Sequence, residues 1–368
     1  MKIAGDIARR IAITRYFMIL GIVVLHMPPF KPLSAYHLDP FDLFRGMLTF
    51  GVFRATVPLL TAVSAFLLFS ADLDRQYLRL MQKKTRTLLV PLVLWNLPML
   101  PLLYWIQKNG LIAHQFEVDL YPAHWQNWMD AATGLFHTPL NYPTHFLRNL
   151  FALALIAPLL GMLLRRAPYI GLVIVFVVYW YDLDGDLLLR NSMLLSFYVG
   201  GLAAVRKWDL RALDRYAPLL LAALLAMAVA IVLFHIQNRE WFALVSPFVV
   251  WPCMSLIAPT RLGELLHRHS SASFFTFLAH GPLLLAAWIT FQRYGASLPY
   301  EMFWAVIPPA VVLLCAYTHR AFWRAAPEVA AVFLGDRGPR RATAGPAART
   351  LPNESAHTGL ALQPDVPS

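Results

Sequence analysis

The feature that most constrains this chain is a succession of long apolar runs with few charges inside them. Along the 368 residues such runs fall at 11–28, 50–70, 87–107, 146–164, 168–182, 190–205, 217–235, 241–258, 272–291 and 302–319. About 20 apolar residues in helical form cross a bilayer core. A helix also satisfies its backbone hydrogen bonds within one segment, as hydrocarbon demands. The runs therefore predict an all-α, polytopic integral membrane protein with about ten transmembrane helices. Composition agrees: 58% of the residues are hydrophobic and 14% charged, with a mean hydropathy of +0.55, whereas soluble domains carry about 25% charged residues. The basic start runs into apolar sequence ending at Pro28-Pro29 with no small-residue cleavage site, so it reads as a first span and not a cleavable leader.

A net charge of +11 would suit nucleic acid, but its distribution follows the spans. If ten spans alternate, 23 of the 31 Lys and Arg residues fall on one side, among them Arg9, Arg10, Arg15, Lys83, Lys84, Arg86, Arg165, Arg166, Arg206 and Arg211. The other side and the span interiors hold Lys31, Arg45, Arg54, Lys108, Arg148, Arg190, Arg239 and Arg293. Excess Lys and Arg marks cytoplasmic loops, which places both termini in the cytoplasm and leaves no need for a nucleic-acid partner.

The longest outward loop, 108–145, carries Tyr121, Trp125, Trp128 and Tyr142 with His114, His124, His137 and His145. It reads either as an interfacial aromatic belt or as a lid that stacks on sugar rings. The histidines lack compact metal spacing, and Cys253 and Cys315 both lie in apolar runs, so neither a metal site nor a disulfide framework is expected. Residues 1–334 read as one transmembrane unit, and 335–368, rich in Arg, Ala, Pro and Gly, as a disordered cytoplasmic tail.

Polar and ionisable groups inside spans are costly and mark candidate sites. Arg15 and His26, eleven residues apart in the first run, fall within about 20° of one helical face and about 16 Å apart along the axis. Arg15 can equally be a snorkelling anchor and His26 a helix cap before the prolines. Arg54 stands at the outer edge of the second run, whose Ser64 lies among small residues suited to helix packing. Lys83 and Arg86 in the following basic loop suit anionic lipid or the phosphates of a cytoplasmic donor. His280, in the middle of FLAHGPLL, reads as a buried interhelical hydrogen-bonder.

At these residues the chain resembles a known family. Arg15-x10-His26, PLLTAVSAFLLF, the Lys83-x-x-Arg86 turn and FLAHGPLL occur in the order found in the membrane-bound acyltransferase-3 family, bacterial multi-span proteins that O-acylate cell-surface and exported carbohydrates. The family usually has Ser-Gly-Phe where this chain has Ser64-Ala65-Phe66. The opening segment is similar to the exopolysaccharide-modifying branch, which adds acetyl or succinyl groups. The resemblance implies a bacterial inner-membrane enzyme with acyl-CoA as donor substrate, a sugar hydroxyl as acceptor and no permanently bound cofactor. His26 would be the general base. Arg15, with Lys83 and Arg86, would meet the donor, and Arg54, Ser64, Arg148 and His280 would contact the acceptor or support the site. No carboxylate in a span is placed to orient His26; Asp39 and Asp42 are the loop candidates. A transporter or flippase for a polysaccharide precursor or small anion is the alternative, with Arg15, Arg54, His26 and His280 lining a path. Truncation after about residue 335 is expected to leave activity intact, checked by assaying membranes that contain the shortened chain.

Overall fold

The structure, a computed structural model, describes residues 3–37, 39–110, 118–185, 188, 192–295 and 297–336. His114, Arg190 and nearly all of the expected tail lie outside the described residues. Among the described residues every regular element is a helix. In order the helices are α1 (Gly5–Leu25), α2 (Pro40–Gly46), α3 (Thr56–Ser70), α4 (Tyr77–Lys84), α5 (Val90–Asn96), α6 (Met99–Lys108), α7 (Trp125–Thr133) and α8 (His145–Arg166). There follow α9 (Pro168–Trp180), α10 (Ser192–Val205), α11 (Ala217–Leu233), α12 (Glu240–Ile257), α13 (Arg261–His269), α14 (Ser273–Tyr294), α15 (Tyr300–Ala325) and α16 (Pro327–Phe333). Their starts carry the expected local chemistry. Asp39 caps α2 by accepting from the Phe41 and Asp42 amides, Thr260 caps α13 through the Gly263 amide, and Pro40, Pro168 and Pro327 occupy first turns where no amide is needed.

Every apolar run named above coincides with helix, yet six helical stretches among the described residues are long and apolar enough to cross a membrane: Pro40–Ser70, Tyr77–Lys108, Tyr142–Arg166, Asp214–Leu233, Arg261–Tyr294 and Tyr300–Ala325. The expected count of about ten is thus not met by length and composition alone. Pro168–Trp180, Ser192–Val205 and Leu244–Ile257 are apolar but shorter. Helix α1 has 21 residues and carries Arg9, Arg10 and Arg15. Tyr169, Ile170, Leu219 and Leu313, on α9, α11 and α15, are more than half exposed, an outer surface that hydrocarbon covers without cost.

Helix α1 runs through the middle, against α3, α12, α13, α14 and α15. Its N-terminal turns are clamped by charge. Arg10, nearly buried, donates through both terminal nitrogens to Asp214 at 2.9 Å, and it also donates to the Trp251 carbonyl while lying 4.3 Å from that indole's centroid. Arg9 pairs with Glu264 at 2.7 Å and Arg211 with Asp6 at 2.5 Å. These arginines, counted from sequence as topology signals, also fix where α1 sits among α11, α12 and α13.

The most extensive pairing joins α3 and α10. Gly200 presses on the Ala62 backbone so closely that a Cβ would collide with the Ala62 carbonyl. Small residues in membrane helices work by this close approach. Gly200→Ala is expected to destabilise the protein by about 1–3 kcal/mol through overpacking, read as a lower melting temperature of the detergent-purified protein.

Candidate functional site: a histidine pair at the floor of a cavity

Helix α1 ends at His26, which caps it with φ −95° and ψ 13°. Pro28 and Pro29 follow, and neither can continue a helical ladder. The chain beyond is pinned from two other elements. The buried Arg45 of α2 donates to the Pro29 carbonyl at 2.7 Å, and the Tyr300 hydroxyl at the start of α15 donates to the Pro28 carbonyl at 2.8 Å. The Arg45 guanidinium lies 5.4 Å and 5.0 Å from the Tyr36 and Tyr300 ring centroids, which supplies attraction without a carboxylate. Asp39 caps α2 and Asp42 accepts from the His37 amide at 3.1 Å, so neither carboxylate serves His26.

His280 supplies the partner. His26 Nδ1 and His280 Nε2 are 2.8 Å apart, the ring centroids are 5.1 Å apart and the planes differ by 7°. With the nitrogens so much closer than the centroids, the rings meet edge to edge in nearly one plane. That is an in-plane hydrogen bond and not a stack. Its direction follows from the next link. His280 Nδ1 lies 3.0 Å from the Thr276 carbonyl, which can only accept, so this nitrogen carries the proton. Neutral His280 then offers a lone pair at Nε2, His26 Nδ1 must donate to it, and neutral His26 carries its own lone pair on Nε2. An imidazole held in one tautomer by a hydrogen bond at its other nitrogen can take a proton at a fixed position.

The motif His280-Gly281-Pro282 shows why α14 is built this way. Pro282 has no amide to give the Leu278 carbonyl, which would be left without a partner in the middle of a span. The Asn141 side chain fills it, donating at 2.9 Å. Gly281 lets that loop approach: a Cβ there would lie 3.0 Å from Asn141 Oδ1 and 3.1 Å from Pro143. Asn141 is held in turn by Asn96 of α5, whose side-chain oxygen accepts the Asn141 amide at 2.5 Å and whose Nδ2 donates to the Thr144 hydroxyl at 3.1 Å. This fully buried network sets Tyr142 edge-on to His26, with centroids 5.4 Å apart and planes at 85°.

His26 and Tyr142 line a cavity of about 1190 Å³ with Arg54, His145, Arg239 and Trp288, larger than the roughly 300–1,000 Å³ of typical small-molecule pockets. It lies at the end of the bundle away from the N-terminus of α1. Arg54 reaches it from an irregular stretch, a π-turn at Met47–Gly51 followed by a 3₁₀ turn at Val52–Ala55.

The structure separates the remaining expected residues. Arg15 is half-buried on the continuous α1, about 16 Å from His26 by helical rise, and forms none of the ion pairs among the described residues. Lys83 is exposed on α4, and Arg86 forms an exposed ion pair at 2.7 Å with Asp336. Ser64 turns its hydroxyl back to the Leu60 carbonyl of its own helix at 2.7 Å and is not among the lining residues. Arg148 is likewise not a lining residue. It donates to the Gly134 and Leu135 carbonyls at 2.9 Å and 2.8 Å, bracing the outer loop. The same loop is tied by Asp130, which accepts from His137 Nδ1 at 2.5 Å and from the Phe136 and His137 amides. Burial opposes ionisation of Asp130, but these hydrogen bonds outweigh it and hold the carboxyl below its ordinary range. Sequence reading missed Asn96, Asn141, Arg45 and Arg239 as parts of the site. For Asn96 the signal was present, an amide inside an apolar run.

All-helical, with a histidine pair beneath a cavity, this is a membrane acyltransferase of the acyltransferase-3 family, whose model, an acyltransferase domain, matches residues 9–319. Among characterised proteins it is similar to the succinoglycan biosynthesis protein ExoH of Rhizobium meliloti (strain 1021). The two are 31% identical over 374 residues, covering 98% of this chain and 99% of the relative. No solved structure matches the chain.

Asn141→Ala is expected to leave the buried Leu278 carbonyl unsatisfied and to cost about 1–3 kcal/mol. Adding Pro282→Ala restores an amide to that carbonyl and should recover part of the loss. The thermal melts of both variants in detergent check this.

Proposed function

We propose that the protein moves an acetyl or succinyl group from cytoplasmic acyl-CoA to a hydroxyl of an exopolysaccharide or other cell-surface sugar. The observation that carries this reading is the 2.8 Å approach of His26 Nδ1 to His280, itself 3.0 Å from the Thr276 carbonyl, at the wall of a cavity large enough for a sugar. His26 Nε2 takes the proton of the acceptor hydroxyl as its oxygen attacks the thioester carbonyl. The new C–O bond forms, the C–S bond breaks, and the proton passes from His26 to the departing thiolate. His280 is a positioning residue. It fixes the ring, and its lone pair continues to accept from Nδ1 when His26 becomes an imidazolium. Family membership and the name of the succinoglycan relative support the reaction type and the class of acceptor.

The donor approaches from the cytoplasmic side, where Arg15 meets its anionic part and Lys83 and Arg86 add positive field. The pantetheine arm extends along α1 toward His26. The acceptor occupies the cavity at the opposite end, beside Arg54. In this reading α1 and the three shorter apolar helices also span, giving ten crossings of the bacterial inner membrane with both termini cytoplasmic.

Mass spectrometry of the surface polysaccharide tests the proposal. His26→Ala should remove the acyl substituent with polymer yield unchanged. The purified variant should lose on the order of 10²- to 10⁴-fold in rate. Arg15→Ala should raise the KM for acyl-CoA more than it lowers kcat. Loss of the polymer itself, with no undecorated material outside, would overturn the assignment in favour of transport.

A further inference from the structure

The last described residues, 327–336, make a set of contacts that the proposed transfer does not use. Helix α15 begins beside the turn after His26, where Tyr300 holds the Pro28 carbonyl, and runs for 26 residues. That is about 39 Å by helical rise, so its far end lies well away from the cavity. There Ala326, with φ −146° and ψ 69°, interrupts the helix, and α16 packs against both α15 and α5.

Three contacts fasten this segment. The Trp95 indole of α5 donates to the Phe333 carbonyl at 3.2 Å, and Leu334 is buried. Gly335 takes the left-handed φ of 57° and seats on the π-turn Thr85–Leu89, where a Cβ would lie 2.7 Å from Thr87 Cα. Asp336, also left-handed at φ 60°, donates its amide to the Ala331 carbonyl at 2.7 Å. Its two carboxylate oxygens then meet Arg86 on that same turn, at 2.7 Å from Nε and 3.1 Å from Nη2.

This is the two-pronged fit by which a guanidinium holds a carboxylate or a phosphate. The pair stands in water, with the Arg86 and Asp336 side chains 67% and 41% exposed. Exposed ion pairs are held weakly, so a ligand with several phosphate oxygens outcompetes one carboxylate. Arg86 is also the residue that meets the donor in the reading above, and Asp336 covers the edge of the guanidinium that a phosphate needs.

We propose that residues 334–336 form an autoinhibitory strap: Asp336 occupies Arg86 in the ligand-free protein, and the phosphates of the acyl-CoA donor displace it. The seat of Gly335 on Thr87 aims the carboxylate at the guanidinium. This rests on the donor reading above, because it needs Arg86 to meet those phosphates. An anionic lipid headgroup carries the same charge, but it is present at all times and would leave the strap no closed state. A donor that comes and goes leaves one.

The test is titration of CoA into the full chain held in phosphatidylcholine nanodiscs. Asp336→Asn should tighten CoA binding about two- to fivefold. Gly335→Ala changes no charge, yet its Cβ collides with the Thr87 backbone, so it should lift the strap and shift affinity in the same direction. Arg86→Gln should weaken binding. Adding Asp336→Asn to Arg86→Gln should then change nothing further, since no guanidinium is left to cover.

Unchanged or weaker binding in Asp336→Asn overturns the strap, and so does a gain that persists in the Arg86→Gln background, which would be a general charge effect. If Arg86→Gln weakens CoA binding while Asp336→Asn does nothing, the strap fails and the donor reading stands. If Arg86→Gln leaves CoA binding unchanged, the donor role of Arg86 fails and the strap falls with it. The expected binding pattern in a protein that transfers no acyl group keeps the strap and removes acyl transfer alone. Phosphatidylglycerol retained more strongly by Asp336→Asn in native mass spectrometry, with CoA affinity unchanged, assigns Arg86 to lipid and overturns the proposal.

Discussion

The structure turns on the 2.8 Å hydrogen bond between His26 and His280. One ring stands at the end of α1, the other in α14, 254 positions apart in the chain. A hydrogen bond between two imidazoles needs a single shared proton, so its geometry carries information about both tautomers. The Thr276 carbonyl settles the direction, and the consequence is carried through to the outer nitrogen of His26. A carboxylate partner would have served the same orienting purpose, but in a span it would bring a second charge with a large desolvation cost. A neutral histidine avoids that cost while still accepting a proton's worth of polarisation.

Much of the surrounding architecture holds the two rings in register. Arg45 and Tyr300 fasten the turn that follows His26. Asn141 donates to the carbonyl that Pro282 leaves without an amide, so a defect in one helix becomes the docking point for a loop that lines the cavity. The chain handles arginine differently at its two ends. Near the N-terminus of α1, Arg9 and Arg10 meet carboxylates. At the other end Arg45 lies between the rings of Tyr36 and Tyr300, while Arg54 and Arg239 both approach the ring of Phe50. Aromatic faces attract a cation without neutralising it.

The fold was legible in the sequence to a considerable depth. Apolar runs marked every long helix because hydrocarbon imposes one requirement on length and another on backbone pairing. The Arg15–His26 spacing was legible too, being a property of one helix. The number of crossings was less so. Helices of 13 and 14 residues such as α9 and α10 look marginal in isolation, and α1 carries arginines that a count by composition penalises. Ser64 and Arg148 were singled out as site residues by type and neighbourhood, yet one bonds its own helix and the other braces a loop. A side chain's type states what it can bond to but not which acceptor lies nearest.

The sequence by itself determined that the chain is helical, that its helices suit a membrane, and that an arginine and a histidine share one face of the first helix. Each follows from composition and periodicity along a single segment. Only the tertiary structure decided that His280 is the partner of His26, that Asn141 answers the gap made by Pro282, and that Arg54 and Arg239 meet over Phe50. Those pairings join residues 137 to 254 positions apart. They exist only when helix packing brings their ends to one place, and no local pattern encodes that juxtaposition.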